Sequence, residues 1–552
     1  MLRALLCVLL LCGCASKQLR FTAGAVAADH ELASAAGVSI LILGGNAVDA
    51  AVATSFALSV VRPFSCGIGG GGFMLIDSPE MEPTALNYRE RAPAAMHKEF
   101  YRNHSSRFGH SAVGVPGTVA GLLAAHQRYG SLPLEVVMEP AISLAEQGFV
   151  PDRSYRSALN NVASAIRANP EYTYLKSSLL KIFGNKPRIT LKGQADVLKK
   201  IASQGTQGFY GGEVAQGIVN ATQHHITLED LQSYEPNWVL PVMAFEQGNL
   251  QVYSMPPPSS GGVAIGQILQ ILERRSAFSL DRNSPTYNHL LIEAMKHAFA
   301  DRATHMADPA FATVPVDALL DEAYIHSLAM QIDDSQTKPI EMYGTQNQVP
   351  DDDGTSHFCV VDAKGMVVCA TETINTSFGS LLIVEPFDFT LNNEMDDFSS
   401  PTGANVYGLV QSDNNLPEAG KRPLSSMSPV IVTIDGKPVL LLGASGGPRI
   451  ISSVVQVLIN SQWFGDSPIV AIDQPRIHHQ WKPNWVYVEE HTKDQLPLEE
   501  IKTFGHDVRE RGSIGVVQMI QIKDSVVLPA CDPRKGGVPA GYNSEPHPPP
   551  QK

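Results

Sequence analysis

The sequence predicts an α+β protein from two observations, and its charge argues against one class of partner. Helical patterns dominate the chain up to residue 354, whereas short apolar strands joined by tight turns follow it. The chain has 552 residues, 44% of them hydrophobic and 17% charged, which suits a large globular core and not a disordered protein. The formal net charge is −14 and no stretch is rich in Lys and Arg, so nucleic acid is not an expected partner.

Residues 1–14, MLRALLCVLLLCGC, predict an export signal. Arg3 supplies the positive start, and the apolar run from Ala4 to Leu11 is far shorter than the ~20 residues that span a bilayer. The end of this run resembles a bacterial lipoprotein box, in which Cys14 would be lipidated and become the mature N-terminus. An ordinary cleaved signal is the alternative. The first interpretation predicts a lipid-anchored protein and the second a periplasmic or secreted one; both place it outside the cytoplasm.

Cysteine spacing gives no sign of a metal site or a disulfide framework. Three of the seven cysteines lie in the predicted signal, and no Cys-x-x-Cys pair occurs. Cys359 and Cys369 lie in apolar runs that predict strands, where a thiol packs as a small hydrophobic side chain. We expect no bound metal and no scaffold of disulfides from the remaining cysteines, which are Cys66, Cys359, Cys369 and Cys531.

Helical patterns recur in the first part of the chain. Residues 26–61 predict two helices divided by Gly44-Gly45, and the glycine cluster after them leads into an apolar strand, FMLI. The clearest helix covers Pro285–Arg302, because Ser284 is a favourable N-cap and Pro285 suits the first helical position. Other predicted helical regions are Pro116–Tyr129, Val263–Arg275 and a capping-box start at Thr227-Leu228-Glu229-Asp230.

A polar stretch separates this helical part from the strands. Residues 331–354 show little periodicity and predict an exposed connector. After it, TSHFCVVD, the turn AKGM and VVCATETIN predict a β-hairpin that starts at Thr355. Two further strands are predicted within SPVIVTID and KPVLLLGAS, and the last residues, NSEPHPPPQK, predict a disordered tail.

Three other patterns are weak evidence for a nucleotide site, a serine nucleophile or a metal site. Gly67, Gly69 and Gly72 satisfy G-x-G-x-x-G, but a nucleotide-binding motif should follow a strand and open a helix, and here that order is reversed. A tight backbone crossing explains these glycines better. No G-x-S-x-G nucleophile motif occurs. The pairs His224-His225 and His478-His479 are weak metal candidates, because adjacent side chains diverge on strands and helices.

The stretch DDDGTSHF, residues 351–358, suggests a place where the chain is cut. An N-terminal threonine carries its own base, because its α-amine has a pKa near ~8 and lies next to the hydroxyl. Cleavage between Gly354 and Thr355 would create such a terminus, and Gly354 has no side chain to obstruct attack on its carbonyl. A polar loop entering a strand is the alternative that these residues alone leave open.

Seven blocks carry a resemblance to a known family. In order they are CGIGGGGFM, NYRERAP, TSHFCVVDAKGMVVCATETINTSFGS, LNNEMDDFSS, NVYGLV, KRPLSSMSPVIV and GASGGPRI. Together they resemble the γ-glutamyltransferases, also called glutathione hydrolases, from about Gly24 to Tyr542. The resemblance implies the N-terminal nucleophile hydrolase fold, a four-layer αββα sandwich. It also implies self-cleavage between Gly354 and Thr355 into a large subunit, residues 24–354, and a small subunit, residues 355–552, that remain together as a heterodimer.

The resemblance assigns a role to each site residue. Thr355 matches the nucleophile, and Thr373 matches a second threonine whose hydroxyl bonds to it. The predicted hairpin places both at its open end, where cross-strand neighbours lie ~5 Å apart. The family match also supplies an oxyanion hole from the N–H groups of Gly446 and Gly447. For the γ-glutamyl group, it assigns the α-carboxylate to Arg89, Ser425 and Ser426, and the α-ammonium to Asn375, Glu394 and Asp397.

Within these blocks some residues match better than their neighbours. Arg89 is favoured over Arg91, and a guanidinium suits the role because its planar fork can hold a carboxylate with two hydrogen bonds. Asp397 is favoured over Asp396. Tyr407 matches a tyrosine of a lid loop found in relatives that take γ-glutamyl substrates, whereas relatives without the loop accept bulkier groups such as cephalosporin side chains. An ordinary surface loop is the alternative for this segment.

The resemblance therefore implies a γ-glutamyltransferase and glutathione hydrolase. Its donors would be glutathione and related γ-glutamyl compounds, and its acceptors water, amino acids or dipeptides, without a metal or organic cofactor. Two alternatives stay open: a glutaryl- or cephalosporin-type acylase of the same superfamily, and a non-catalytic lipoprotein that binds γ-glutamyl peptides. The presence of every matched catalytic residue argues against the non-catalytic lipoprotein.

Overall fold

Two antiparallel β-sheets lie face to face at the centre of the structure, a computed structural model that describes residues 18–344, 354–399 and 412–544. The strands are β1 Gly24–Ala28, β2 Gly71–Ser78, β3 Met81–Asn87, β4 Asn237–Val239, β5 Val242–Gln247, β6 Leu250–Ser254, β7 Thr355–Val361, β8 Val367–Thr373, β9 Ile383–Val384, β10 Phe389–Thr390, β11 Val430–Ile434, β12 Lys437–Ser445, β13 Ile477–His478, β14 Val486–Glu489, β15 Val508–Arg511, β16 Val516–Lys523, β17 Val526–Cys531 and β18 Ala540–Tyr542.

One central sheet has seven strands in the order β18-β1-β7-β8-β2-β3-β4, and the other has six in the order β17-β16-β12-β11-β6-β5. All neighbouring strands in these two sheets are antiparallel. Strands β9 and β10 form a small ribbon, and β13, β14 and β15 form a separate three-stranded sheet.

Helices cover both outer faces of the paired sheets. They are α1 Glu31–Ile42, α2 Ala47–Val61, α3 Thr118–Tyr129, α4 Leu134–Gln147, α5 Arg153–Ala168, α6 Thr173–Phe183, α7 Lys192–Gln204, α8 Gln207–Tyr210, α9 Gly212–Ala221, α10 Leu228–Gln232, α11 Gly261–Arg274, α12 Pro285–His305, α13 Val316–Leu319, α14 Glu322–Gln331, α15 Arg449–Gln462, α16 Pro468–Asp473 and α17 Leu498–Thr503. Helices α1 and α2 pack on the seven-stranded sheet, and α11 and α15 on the six-stranded sheet. This order of layers is the predicted αββα sandwich.

Alternate residues of the central strands face different layers. In β7, Phe358 and Val360 pack with the α1 and α2 layer, whereas Cys359 and Val361 belong to the core that includes the six-stranded sheet. Cys359 and Cys369 are fully buried there, as expected for small core residues. Thr355 lies on the same side of β7 as Cys359, so its side chain points to the edge of the space between the sheets.

Most predicted elements are present, with shifted ends. The hairpin of β7 and β8, the N-cap at Ser284 and the capping box at Thr227 are confirmed. One prediction is wrong: the first helix does not include residues 26–28, because Gly24–Ala28 is a strand that pairs with β7 and β18. A short apolar stretch has the same sequence pattern in a buried helix and in a strand that is buried on both faces. The periodicity of residues 26–28 therefore could not distinguish a helix from a strand.

Several expectations fall outside the described residues. They are the export signal with Cys14, the lid residue Tyr407, most of the C-terminal tail and the connector residues 345–353. Within the described part of the chain, no helix is both long enough and apolar enough to cross a membrane.

Candidate active site

The two threonines lie directly opposite each other at the open end of the β7–β8 hairpin. The strand register pairs Thr355 with Thr373, and their hydroxyl oxygens are 3.4 Å apart. Each hydroxyl donates a hydrogen bond of 2.7 Å to the carbonyl oxygen of Gly354. The backbone N–H of Asn375 donates to Thr373 Oγ1 at 2.8 Å, which fixes this second hydroxyl. The cross-strand proximity predicted from the hairpin is therefore present.

The backbone at Gly354 is tightly enclosed. A Cβ atom at this position would lie 2.4 Å from the carbonyl oxygen of Asn375 and 2.6 Å from the carbonyl carbon of Thr376. Real Cβ atoms do not approach other atoms so closely, so glycine is required here. The enclosure holds the Gly354 carbonyl next to the Thr355 hydroxyl in the uncut chain.

Gly446 and Gly447 form the turn between β12 and α15. Both have positive φ angles, 128° and 55°, a conformation that glycine adopts without steric cost. Their carbonyl groups accept hydrogen bonds from the backbone N–H groups of Arg449 and Ile450 at the start of α15. Each glycine lines a cavity that Thr355 also lines, so the turn lies beside the proposed nucleophile.

A cavity of about 310 Å³, called here the acyl cavity, opens beside Thr355. It brings together residues from β7, β8, α12, α15 and five connecting segments that are far apart in the sequence. Its lining includes all but one of the catalytic and γ-glutamyl-binding residues matched from the sequence, the exception being Gly446. The lining residues are Arg89, Arg302, Thr355, Thr373, Asn375, Glu394, Asp397, Ser425, Ser426, Met427, Gly447, Pro448 and Ile450.

Arg89 lies at the centre of the charged wall of this cavity. Its Nη1 is 2.6 Å from Glu394 Oε1, and its Nη2 is 2.6 Å from Asp397 Oδ2. Its Nε and Nη2 also donate to the carbonyls of Pro423 and Leu424, at 2.6 and 2.9 Å. The buried arginine thus orients both carboxylates while keeping its cation at the wall, which gives the cavity charges of both signs.

Burial raises the pKa of both carboxyl groups, and Arg89 opposes this rise. The pKa of Asp397 is raised to about 6, because burial disfavours the ion more than Arg89 stabilises it. Burial also raises the pKa of Glu394, to about 8. These carboxylates therefore lose their charge at a higher pH than exposed ones would.

For the γ-glutamyl donor that the resemblance implies, we expect KM to rise as the pH falls, because burial raises the pKa of Glu394 to about 8 and that of Asp397 to about 6. A carboxyl group is neutral below its pKa, so acid removes a charge that would pair with the donor ammonium. Initial rates with γ-glutamyl-p-nitroanilide between about pH 5 and pH 8 measure this dependence. Asp397→Asn should have a higher KM that changes less with pH. An equally steep acid limb in this variant would show that another group titrates.

Ser425 and Ser426 reach the cavity through a loop held against residues 258–260. The carbonyl of Ser425 accepts hydrogen bonds from the Ser260 N–H at 2.8 Å and the Ser260 hydroxyl at 2.7 Å. The hydroxyl of Ser425 accepts from the Met427 N–H at 3.1 Å. These bonds fix the backbone that presents both serines to the cavity.

Arg302, on α12, is a cavity residue that the sequence did not single out. Its Nε donates to Ser260 Oγ at 3.0 Å and its Nη2 to Ser426 Oγ at 3.4 Å, while its buried Nη1 has no hydrogen-bond partner among the described residues. Burial lowers its pKa to about 10, so the side chain stays charged at neutral pH. It adds a second cation behind the serines. In the sequence it is one residue of a predicted helix, and nothing in the spacing sets it apart.

The less favoured neighbours lie outside the acyl cavity. Arg91 is partly exposed and donates to Ser233 Oγ at 2.8 Å, and Asp396 accepts a hydrogen bond from Ser106. Ser399 and Asn415 precede and follow residues 400–411 in the sequence; the Ser399 N–H donates to the Asn415 carbonyl at 2.9 Å, and Asn415 Nδ2 donates to the Asp397 carbonyl at 2.8 Å.

The layered architecture and the position of Thr355 place this protein in a known structural class. Two antiparallel sheets between helical layers, with a threonine at the start of a central strand, form the N-terminal nucleophile hydrolase fold. A solved structure of the cephalosporin acylase from Bacillus halodurans shares this fold with a TM-score of 0.83 and 26% identity, over 96% of this chain and 98% of that one.

The chain belongs to the γ-glutamyltranspeptidase family, whose sequence model matches residues 33–542. It is 40% identical to the glutathione hydrolase proenzyme of Escherichia coli K12, over 94% of this chain and 92% of that one. It is also 40% identical to the glutathione hydrolase proenzyme of Pseudomonas aeruginosa, over 93% and 94%. The solved γ-glutamyltranspeptidase of Helicobacter pylori is 37% identical, with a TM-score of 0.52, over 59% of this chain and 97% of that one.

Proposed function

We propose that this protein is an exported γ-glutamyltransferase and glutathione hydrolase that activates itself by cleavage between Gly354 and Thr355. The observation that carries the proposal is the Thr355 hydroxyl at the Gly354 carbonyl, beside a cavity with charges of both signs. Cleavage would leave residues 24–354 and 355–552 as two subunits. They would stay together because β1 of the first pairs with β7 and β18 of the second.

Self-cleavage begins with attack by Thr355 Oγ1 on the carbonyl carbon of Gly354. The bond from this carbon to the Thr355 nitrogen breaks, and the nitrogen takes up the hydroxyl proton, so that an ester replaces the peptide bond. Water then hydrolyses the ester, which frees the Gly354 carboxylate and restores the Thr355 hydroxyl beside the α-amine that the first step released. Thr373 supports the step by donating to the same carbonyl oxygen at 2.7 Å.

Turnover repeats this chemistry on a bound γ-glutamyl amide. The Thr355 α-amine takes the hydroxyl proton as the oxygen attacks the γ-carbonyl, and the N–H groups of Gly446 and Gly447 stabilise the negative oxygen. The C–N bond breaks, the amine leaves with the proton, and a γ-glutamyl ester on Thr355 remains. With glutathione the leaving amine is cysteinylglycine. Water then yields glutamate, and an amino acid or dipeptide yields a new γ-glutamyl amide.

The charges of the acyl cavity favour a γ-glutamyl group over a glutaryl group. The two groups differ by the α-ammonium, and Glu394 and Asp397 place carboxyl groups on the wall of the cavity that would bind it. Arg89 and Arg302, with Ser425 and Ser426, would bind the α-carboxylate that both groups share. The likeness to a cephalosporin acylase makes an acylase the second candidate.

We expect purified protein to contain two polypeptides, the smaller beginning at Thr355, and to release p-nitroaniline from γ-glutamyl-p-nitroanilide. Intact-mass analysis locates the cut, and absorbance follows the release. Glutaryl-p-nitroanilide is the matched substrate, and we expect its kcat/KM to be at least about tenfold lower because it lacks the ammonium. Equal values for the two substrates would favour the acylase, and an active single chain would contradict self-cleavage.

Export of the protein is proposed from residues 1–14, with either lipidation of Cys14 or simple signal cleavage. Fractionation of the native host, with and without detergent, distinguishes a lipid-anchored protein from a free one.

A further inference from the structure

Three side chains of the β7–β8 hairpin that can bind a metal meet between the two central sheets. They are His357, Cys359 and Cys369, and all three are fully buried. The strand register places Cys359 directly opposite Cys369, and His357 lies two residues before Cys359 on the same side of β7. Cysteine spacing did not indicate a metal site, because the two sulfurs come from opposite strands.

The three ligand atoms of this cluster form a small triangle. The two sulfurs are 3.7 Å apart, and His357 Nε2 lies 3.2 Å from the sulfur of Cys359 and 3.4 Å from that of Cys369. In a tetrahedral site with bonds of ~2.3 Å to sulfur and ~2.0 Å to nitrogen, two sulfurs are ~3.8 Å apart and a sulfur and a nitrogen ~3.5 Å apart. One ion can therefore bind all three atoms after small shifts of the side chains.

Neighbouring groups orient the imidazole of His357. With its proton on Nδ1, the ring donates to Thr371 Oγ1 at 2.8 Å, which leaves the lone pair of Nε2 facing the sulfurs. A Cβ atom at Gly443, on β12, would lie 2.3 Å from Cε1 of the ring, so only glycine leaves room for it. The ring is therefore held in the orientation that a metal ligand needs.

We propose that His357, Cys359 and Cys369 form a structural zinc site that ties the two arms of the β7–β8 hairpin together. Zn²⁺ prefers nitrogen and thiolate ligands, and the two thiol protons leave when it binds. Two thiolates balance the charge of the ion, so the buried site carries no net charge. The carbonyl oxygen of Leu442 lies 3.3 Å from Cys369 Sγ, near the ~3.5 Å expected between two ligands of one zinc ion, and can supply the fourth ligand.

The zinc ion would stabilise the hairpin and take no part in the reaction. Thr355 precedes Cys359 by four residues, which is about 13 Å along an extended strand, so the ion would not touch the reacting groups. The three side-chain ligands all lie within residues 355–373, so the ion can bind as the hairpin forms and before the second sheet covers it. The inference does not depend on the proposed function.

The zinc content of the purified protein tests this site. We expect protein expressed with added Zn²⁺ to retain about one zinc ion per chain after a brief EDTA wash that removes surface-bound ions. Inductively coupled plasma mass spectrometry measures this content. Cys359→Ser and Cys369→Ser should each retain less than about one tenth of the wild-type zinc, because each removes a thiolate ligand.

Cys66→Ser is the matched control. Cys66 is also a fully buried thiol, but it belongs to the core on the other face of the seven-stranded sheet, so this variant should keep the zinc content of the wild type. X-ray absorption by the wild-type protein should show two sulfur ligands and one nitrogen ligand, which checks the site without any substitution.

Three results would overturn the inference. The first is wild-type protein with less than about one tenth of a zinc ion per chain. The second is a Cys359→Ser variant that holds as much zinc as Cys66→Ser. The third is a denatured wild-type mass lower by two hydrogen atoms, with the loss located at Cys359 and Cys369, which would show that the two thiols form a disulfide.

Discussion

Thr355→Ala is expected to yield one uncut polypeptide without γ-glutamyl turnover. Both the cut and the turnover need an oxygen at this position, and the structure places Thr355 Oγ1 2.7 Å from the Gly354 carbonyl oxygen. Alanine removes that oxygen but keeps the strand pairing with Thr373. We expect kcat to fall by at least about 10⁴-fold, since loss of a nucleophile leaves only binding and oxyanion stabilisation. Intact-mass analysis and p-nitroaniline release measure the two effects.

Thr355→Ser tests the role of the hydroxyl separately from that of the methyl group. Serine keeps the oxygen and, after cleavage, the α-amine, so this variant should be cut and should retain measurable activity. Substantial activity in Thr355→Ala would point to another nucleophile. A cut Thr355→Ala chain would show that an external protease performs the processing.

Arg89→Lys is expected to lower kcat/KM for γ-glutamyl-p-nitroanilide by about 10²-fold, mostly through KM. The guanidinium of Arg89 reaches Glu394, Asp397 and two backbone carbonyls at once, through donors at fixed angles. A lysine keeps the positive charge but has a single nitrogen, so it cannot hold both carboxylates in place. The donor would lose the guanidinium that binds its α-carboxylate, and the carboxyl groups of Glu394 and Asp397 that bind its α-ammonium would no longer be aligned.

Arg91→Lys is the control for this substitution. Arg91 is two residues away and donates to Ser233 outside the acyl cavity, so its replacement should change kcat/KM by less than about twofold. Circular dichroism should confirm that both variants are folded and cut. An Arg89→Lys enzyme with normal KM would show that Arg302 and the serines suffice for the α-carboxylate.

The sequence was most informative where contacts are local. A short turn between two apolar runs fixes the register of a hairpin, so the pairing of Thr355 with Thr373 was predictable from their positions along the two arms. The caps at Ser284 and Thr227 were predictable for the same reason, since each bonds within three residues. The chemistry of Thr355 and its neighbours did not show by itself whether Thr355 is a nucleophile. That assignment came from the seven sequence blocks that resemble the γ-glutamyltransferases.

The α+β class, the hairpin, the family and the residues matched to its site could all be predicted from the sequence alone. How these residues meet depends on the folded structure, in which Arg89 contacts Glu394 and Asp397 across 305 and 308 residues of sequence. Folding also added Arg302 to the acyl cavity and turned the first predicted helical residues into a central strand. Such contacts depend on how distant elements pack, because side chains brought together by folding leave no spacing pattern in the chain.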